Sequence, residues 1–435
     1  MTGPAVAIVD WSHLLEDFLD NLGVTFEAFR GEMTGGWMFG YVEALRSAGC
    51  RPVLFCVSAR VAEVTRHEHA PTGATICVLP APAGYRRARR RVPNPYAASL
   101  AEAAGDLRGP ARWRAAFLKE LSPYLATPLR ALARELRREG CDVILCQDYE
   151  HARFDACVLL GRLRGLRVYA TFQGGNWQLS RFERPLRPLS LRACSGLIVG
   201  SGVEADRLRR RYGVPAGKIA RIFNPIDLRI WPPPHPIDRD LARSALGIPR
   251  EARVTAWHGR VDLHRKGLDV LAEAWREVRR ARPGRDLRLL LLGTGRDAGA
   301  LRALLGDDRD IHWADEYVND REAIRRHLLA ADVYAFPSRN EGFPLAPVEA
   351  MACGLPVVGA DAPGVVDILG EGGDAVGMIV PAGDAGAFAR ELGRLLDDPA
   401  LSAGLGARSR WRVEESFSHE SVGRELRTFL TGGPR

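Results

Sequence analysis

Glu341 and Glu349, separated by seven residues, are the pair best placed for chemistry in this 435-residue chain. They stand in Arg339 to Val358, R-N-E-G-F-P-L-A-P-V-E-A-M-A-C-G-L-P-V-V. Val333 to Phe336 is short, apolar, β-branched and aromatic, the composition of a parallel strand buried on both faces, and Pro337 ends it. Gly342 and Pro344 suit a tight turn. Ala346 to Ala352 has the composition of a short helix, with Pro347 tolerated in its first turn and Gly354 as its stop. The spacing predicts Glu341 at the mouth of a strand-turn-helix unit, where free backbone N–H groups and the positive helix end favour a phosphate. Glu349 falls about two turns further on. Two carboxylates beside a phosphate would repel it, so they read as acceptors for neutral hydroxyls of a sugar or ribose. The alternative is a pair of surface carboxylates on an ordinary αβ unit.

The same residues resemble the signature of the group 1 (family 4) retaining glycosyltransferases. That signature is a glutamate, seven residues, a second glutamate, then a small-Gly-x-Pro-Val-Val strand, matched here by Glu341, Glu349 and Cys353-Gly354-Leu355-Pro356-Val357-Val358. The resemblance covers residues 196–430 and is looser before residue 140. It implies an α/β fold of two Rossmann-like domains facing across a cleft, the GT-B arrangement. Residues 1–232 would bind the acceptor and residues 238–412 the nucleotide-sugar donor. Residues 413–435 would form a C-terminal helix packing back on the first domain, and Trp231 to Pro236 would be a proline-stiffened linker.

His258-Gly259-Arg260 and Lys266-Gly267 resemble the Gly-Arg and Lys-Gly motif of that family. Arg260 and Lys266 are therefore expected on the donor diphosphate, one as a planar fork and one as a point charge. With Glu341, assigned to the donor-sugar hydroxyls, they make the expected catalytic set, and Glu349 is assigned to the ribose. Donor contacts are expected from Gly259, Gly293, Gly295, Tyr317, Val318, Gly342, Phe343, Pro344 and Leu345. Gly293-Thr294-Gly295 follows the strand Leu287 to Leu292 and fits close backbone approach to a ligand. On the acceptor side, Gly35 and Gly36 open a helix. His151, Gln173 and Gly174 lie in turns after strands Cys141 to Gln147 and Leu166 to Phe172, which should face the cleft. Gln173 stands where the family commonly has His-Gly; it can exchange hydrogen bonds with hydroxyls but cannot carry a proton near neutral pH.

Composition is that of an ordinary soluble globular protein, 46% hydrophobic and 26% charged, long enough for two domains. No apolar run approaches about 18 residues and no secretory leader is evident, so the expected compartment is the cytoplasm. Eight cysteines show no C-x-x-C pair and read as buried reduced thiols without zinc. Residues 1–235 carry 33 Lys+Arg against 22 Asp+Glu, whereas residues 236–435 carry 28 against 31, so the first half holds the whole net charge of +8. That asymmetry suggests an anionic partner, either a phosphorylated acceptor or an acidic membrane surface touched peripherally, unless it is a solvated arginine-rich surface. Arg86 to Arg91 holds five arginines in six positions; it either docks phosphate or stays a mobile solvated loop. No nucleic-acid-binding signature accompanies it, so nucleic acid is not expected.

Elsewhere the pattern predicts a first strand Ala5 to Val9 ending in Asp10 and an amphipathic insertion, Asp10 to Thr34, near the acceptor. It also predicts a helix Trp37 to Ser47, strands Arg51 to Val57 and Ala74 to Leu79, one long helix Ala111 to Glu139, and a helix from Pro399 capped by Asp398. Asp308-Arg309-Asp310 is formally a metal motif, but it falls at the wrong end of its strand. Neither a metal nor a cofactor beyond the nucleotide-diphosphate sugar is expected. The reading is a metal-independent retaining transferase in which Arg260, Lys266 and the helix near Pro344 stabilise the departing diphosphate. Its acceptor is left open: anionic, lipid-linked, a glycan or a secondary metabolite. A hydrolysing nucleotide-sugar epimerase and a non-catalytic nucleotide-sugar-binding protein share the architecture, but the intact Arg260, Lys266, Glu341 and Glu349 set argues against both.

Overall fold

Aliphatic runs whose successive residues bury on opposite sides make two sheets. Val6 and Ile8 enter one core while Ala7 and Val9 enter another. Leu290 and Leu292 likewise part from Leu289 and Leu291. Strands buried on both faces are those of a parallel sheet covered by helices. The computed structural model describes residues 3–432 apart from Trp11, Ala98, residues 175–178 and Asn319. The chain divides into two compact units: residues 1–200, 204–222 and 422–435, and residues 201–203 with 223–421.

The first unit holds β1 (Ala5–Val9), β2 (Arg51–Ser58), β3 (Thr65–His69), β4 (Ala74–Pro80), β5 (Cys141–Cys146), β6 (Arg167–Thr171), β7 (Gly196–Val199) and β8 (Ile219–Arg221). Their order is β3-β4-β2-β1-β5-β6-β7-β8, parallel except for β3, which runs antiparallel to β4. The second holds β9 (Arg253–His258), β10 (Leu287–Leu292), β11 (Ile311–Ala314), β12 (Val333–Phe336), β13 (Val357–Ala360) and β14 (Met378–Val380), ordered β11-β10-β9-β12-β13-β14. That is the doubly wound Rossmann order, and the first sheet repeats it with β8 and β3 added at its edges. The order reverses between β1 and β5 and between β9 and β12. Ligands of such sheets sit beyond the carboxyl ends of the strands at that reversal.

The structure adds to or corrects the sequence reading at four places. β3, T-R-H-E-H, is a polar edge strand with no apolar alternation to announce it. The expected helix Ala111 to Glu139 is two, Gly109–Leu125 and Leu129–Arg138, because Pro128 forces the residue before it out of helical geometry. The Arg86 to Arg91 run is not a mobile loop: it lies in a helix, Ala83–Arg91, that buries Tyr85 and Ala88. The Asp10 to Thr34 insertion is two short helices, Leu15–Leu22 and Phe26–Gly31, joined through left-handed Gly23. Leu15, Leu19 and Phe29 anchor them in the core.

Two local expectations agree with the fold, the cap at Asp398 and the buried cysteines. The Asp398 carboxylate accepts the Leu401 N–H at 2.9 Å and caps the helix Pro399–Ser416. All eight cysteines are buried and unpaired. Val422, Leu426 and Leu430 of the last helix, His419–Thr431, enter the core of the first unit. Trp231, expected at the start of the linker, is instead buried in the core of the second unit, because its large apolar ring finds a pocket there.

Candidate functional site

In the second unit, two loops at the carboxyl edge of the sheet are laced into one surface. The loop after β9 ends at Gly267 (φ 64°), which opens the helix Leu268–Arg280. A Cβ on Gly267 would overlap the carbonyl of Pro337, so only glycine lets this loop lie against the one after β12. Arg339 then fastens the two, with its backbone N–H on the Arg265 carbonyl at 2.9 Å and its guanidinium on Asp269 at 2.7 and 2.8 Å. The result brings Lys266 Nζ to Glu341 Oε1 at 2.7 Å. Glu341 is buried and Lys266 half-buried. Arg260 is exposed and makes no ion pair among the described residues.

Glu349 is buried in the helix Ala346–Ala352. Its carboxylate accepts from His258 Nε2 at 2.9 Å and from Arg321 Nη1 at 2.8 Å. Burial alone would push the carboxyl up; the hydrogen bond from His258 and the charge of Arg321 outweigh it and hold the group below its usual value. Neither partner had been given a role. His258 ends β9 and was open to the strand-end rule; Arg321, at the start of the helix Arg321–Leu329, has no local signal at all.

Gly259, Arg260, Gly293, Gly295, Tyr317 and Val318, all expected on the donor, line one cavity of about 270 Å³ with His258, Thr294 and Glu316. The glycines serve the chain before they serve any ligand. A Cβ on Gly293 (φ 129°) would overlap the carbonyl of Gly259, and one on Gly295 that of Val261. Tyr317 is 77% exposed at this cavity. Gly342, Phe343, Pro344 and Leu345 are not in its lining. Phe343 instead stacks on Phe223 with ring centroids 5.4 Å apart.

In the first unit, the carboxyl ends of β1, β5 and β6 carry a buried polar cluster. Arg153 binds the Asp10 carboxylate and donates to the carbonyls of Asp10 and His13, each at 3.0 Å. Ser12 Oγ donates to Asp10 at 2.6 Å, yet burial pushes the Asp10 carboxyl up to about 6. Asp148 follows β5 in left-handed geometry (φ 80°), and its carboxylate accepts the Glu150 N–H at 2.8 Å. Burial pushes this carboxyl up to about 7. His151 is pushed down to about 3 by burial and by Arg187 and Arg153, so it stays neutral near pH 7 and cannot deliver a proton.

Gly35 (φ 68°) precedes the helix Gly36–Ser47, which carries the buried Tyr41. The Tyr41 hydroxyl and the Gln173 side chain are hydrogen-bonded, and Gln173 Nε2 also donates to Thr171 Oγ1 at 3.2 Å. Gly174 follows with φ 88°. The helix that the glycine turn opens thus meets the Gln173 turn. Asp308 and Asp310 are engaged by Arg279, with Asp310 at 2.8 Å, and Asp310 also by Arg288 at 2.7 Å.

Two doubly wound sheets with charged and glycine-built loops at their carboxyl edges define an α/β architecture of the Rossmann type. A family described as "Glycosyl transferases group 1" matches residues 252–398, and one described as "Glycosyltransferase Family 4" matches residues 38–230. The chain belongs to the group 1 and family 4 glycosyltransferases. A Corynebacterium glutamicum protein, "GDP-mannose-dependent monoacylated alpha-(1-6)-phosphatidylinositol monomannoside mannosyltransferase", is 32% identical over 218 residues, 48% of this chain and 55% of its own. The "D-inositol 3-phosphate glycosyltransferase" of Kineococcus radiotolerans is 31% identical over 236 residues, 51% and 54% of the two chains. The chain spans about half the length of these curated relatives.

Solved structures share the GT-B fold. Sucrose-phosphate synthase from Thermosynechococcus elongatus superposes with a TM-score of 0.66 at 21% identity, over 99% of this chain and 98% of its own. Anabaena HepE in complex with UDP superposes with a TM-score of 0.68 at 14% identity, over 99% and 100%.

Proposed function

We propose that the chain is a retaining glycosyltransferase that moves a sugar from a nucleoside diphosphate to a phosphate-bearing polyol. The observation that carries this reading is the second unit's edge, where Lys266 and Glu341 are joined at 2.7 Å and Arg260, in the same loop after β9 as Lys266, is exposed. Departure of a diphosphate leaves negative charge on oxygen. Arg260 as a fork and Lys266 as a point charge stabilise it, so no metal is required. Glu341, fixed by Lys266, accepts hydroxyls of the donor sugar. Glu349, fixed by His258 and Arg321, accepts the ribose hydroxyls, and the cavity walled by Tyr317 and Val318 takes the base. The acceptor attacks from the face the diphosphate leaves, and the departing phosphate oxygen takes its proton. Residues 238–412 hold the donor and residues 1–232 the acceptor, with Gly35, Gly36, His151, Gln173 and Gly174 on the acceptor side.

The acceptor class follows from the positive excess of residues 1–235 and from relatives whose names specify inositol phosphate and phosphatidylinositol acceptors. A lipid-borne acceptor makes the protein cytoplasmic and peripheral at the inner membrane face. The test is incubation with guanosine, uridine, adenosine and thymidine diphosphate sugars and an inositol phosphate, with and without EDTA. One pair should give free nucleoside diphosphate and a glycoside of unchanged anomeric configuration by proton NMR, at a rate EDTA does not alter. An epimerised sugar, or binding without turnover, would replace this reading with an epimerase or a sensor.

A further inference from the structure

The arginine run takes no part in the transfer chemistry. Its helix, Ala83–Arg91, buries Tyr85 and Ala88, and half-buried Arg89 is paired with Asp17 at 2.5 Å. Arg86, Arg87, Arg90 and Arg91 are left exposed. Their spacing, one and four apart, puts all four on one helical face. This helix packs on the helix Gly109–Leu125 over a small core of Val92, Ala97, Ala103 and Ala115. That second helix exposes Trp113 at 77% and Phe117 at 56%, one turn apart. Phe117 has an edge-on ring contact with Phe182 at 5.8 Å. Arg108, Arg112 and Arg114 are exposed on or beside the same helix. Residues 83–118 hold eight arginines against only Glu102 and Asp106, more than half of the positive excess of the first 235 residues.

We propose that this surface docks on an anionic lipid bilayer. Arginine forks pair with phosphate head groups, and tryptophan and phenylalanine side chains enter the interface between head groups and acyl chains. A surface built only for a soluble polyanion gains nothing from an exposed Trp and Phe beside the arginines. No described helix is long and apolar enough to cross a membrane. The inference goes beyond the transfer reaction: it names where the chain meets a lipid-borne acceptor, and it stands whether or not the donor assignment does.

The test is co-sedimentation of the full chain, without nucleotide, with vesicles of phosphatidylcholine alone and of phosphatidylcholine with phosphatidylglycerol. Binding is expected only to the anionic vesicles. The combined R86Q, R87Q, R90Q and R91Q variant should bind on the order of a thousandfold more weakly, with a reduced salt dependence. W113A with F117A should bind about tenfold more weakly with unchanged salt dependence. The arginine variant should keep the wild-type unfolding temperature, since its replaced side chains are exposed, whereas W113A with F117A should stay folded with a slightly lower one, since it loses the Phe117–Phe182 contact. Transfer to a soluble inositol phosphate, measured on the same variants, reports on the reaction separately. Equal binding to neutral vesicles, wild-type binding by the arginine variant, or tighter binding to a duplex oligonucleotide than to anionic vesicles would overturn the proposal.

Discussion

Asp148 and Glu349 belong to different units, are about equally buried, at 8% and 6% exposure, and each follows a strand of a doubly wound sheet. Their protonation is driven in opposite directions. Glu349 meets the Nε2 donor of His258 and the guanidinium of Arg321, and is held low. Asp148 accepts backbone N–H groups and lies only at a distance from Arg187, so burial wins and its carboxyl rises to about 7. A carboxylate with two charged or strongly polar partners is prepared to stay ionised and hold hydroxyls. One answered by backbone amides takes up a proton near neutrality. The two sheets share a winding order, and what separates their edges is which side chains the loops bring in.

Three measurements would break or sharpen that contrast. The largest effect is expected at the second unit: Arg260→Ala, whose side chain is exposed and unpaired among the described residues, should leave the unfolding temperature unchanged. Its turnover should fall by about 10²–10³ if it stabilises the departing diphosphate. A rate within a factor of a few of wild type would remove Arg260 from the reaction. Next, Glu349→Gln loses the charge on two hydrogen bonds, each worth about 1.5–3 kcal/mol. Nucleotide affinity, by titration calorimetry, should weaken by about tenfold or more; loss of turnover with intact affinity would end the ribose assignment.

The smallest effect is expected at Asp148→Asn. A carboxyl raised from 3.8 to about 7 binds its proton more tightly folded than unfolded. The stability it lends is present at low pH and is lost as pH rises through that window. Asparagine mimics the protonated form and tolerates left-handed geometry. The variant should therefore match wild type only below about pH 4, and unfold at a progressively higher temperature than wild type as pH rises from there to about 8. The upper bound on the gain is about 1.4 kcal/mol per pH unit crossed. An equal or lower unfolding temperature at the higher pH would show that the buried carboxylate is held ionised, as Glu349 is.

Much of the second unit was legible residue by residue. Strand, turn and helix around Glu341 were set by local composition, and so were the cap at Asp398 and the burial of Cys353, as was that of the seven cysteines of the first unit. In the first unit, β3 was missed because an edge strand needs little apolar surface. The Arg86 to Arg91 run folds as a helix because Tyr85 and Ala88, only two of its residues, find a core. The break between Leu125 and Leu129 is a local signal, set by Pro128.

By itself the sequence determined where strands end and which loops carry charge and glycine, because backbone preference and burial periodicity act over a few neighbouring residues. Only the tertiary structure decided that His258 and Arg321 hold Glu349, that Gly267 must be glycine to clear Pro337, and that Arg153 reaches Asp10. These pairings join residues 28 to 143 positions apart. Which charge finds which partner across such separations depends on the winding of the sheet, and no local pattern encodes it.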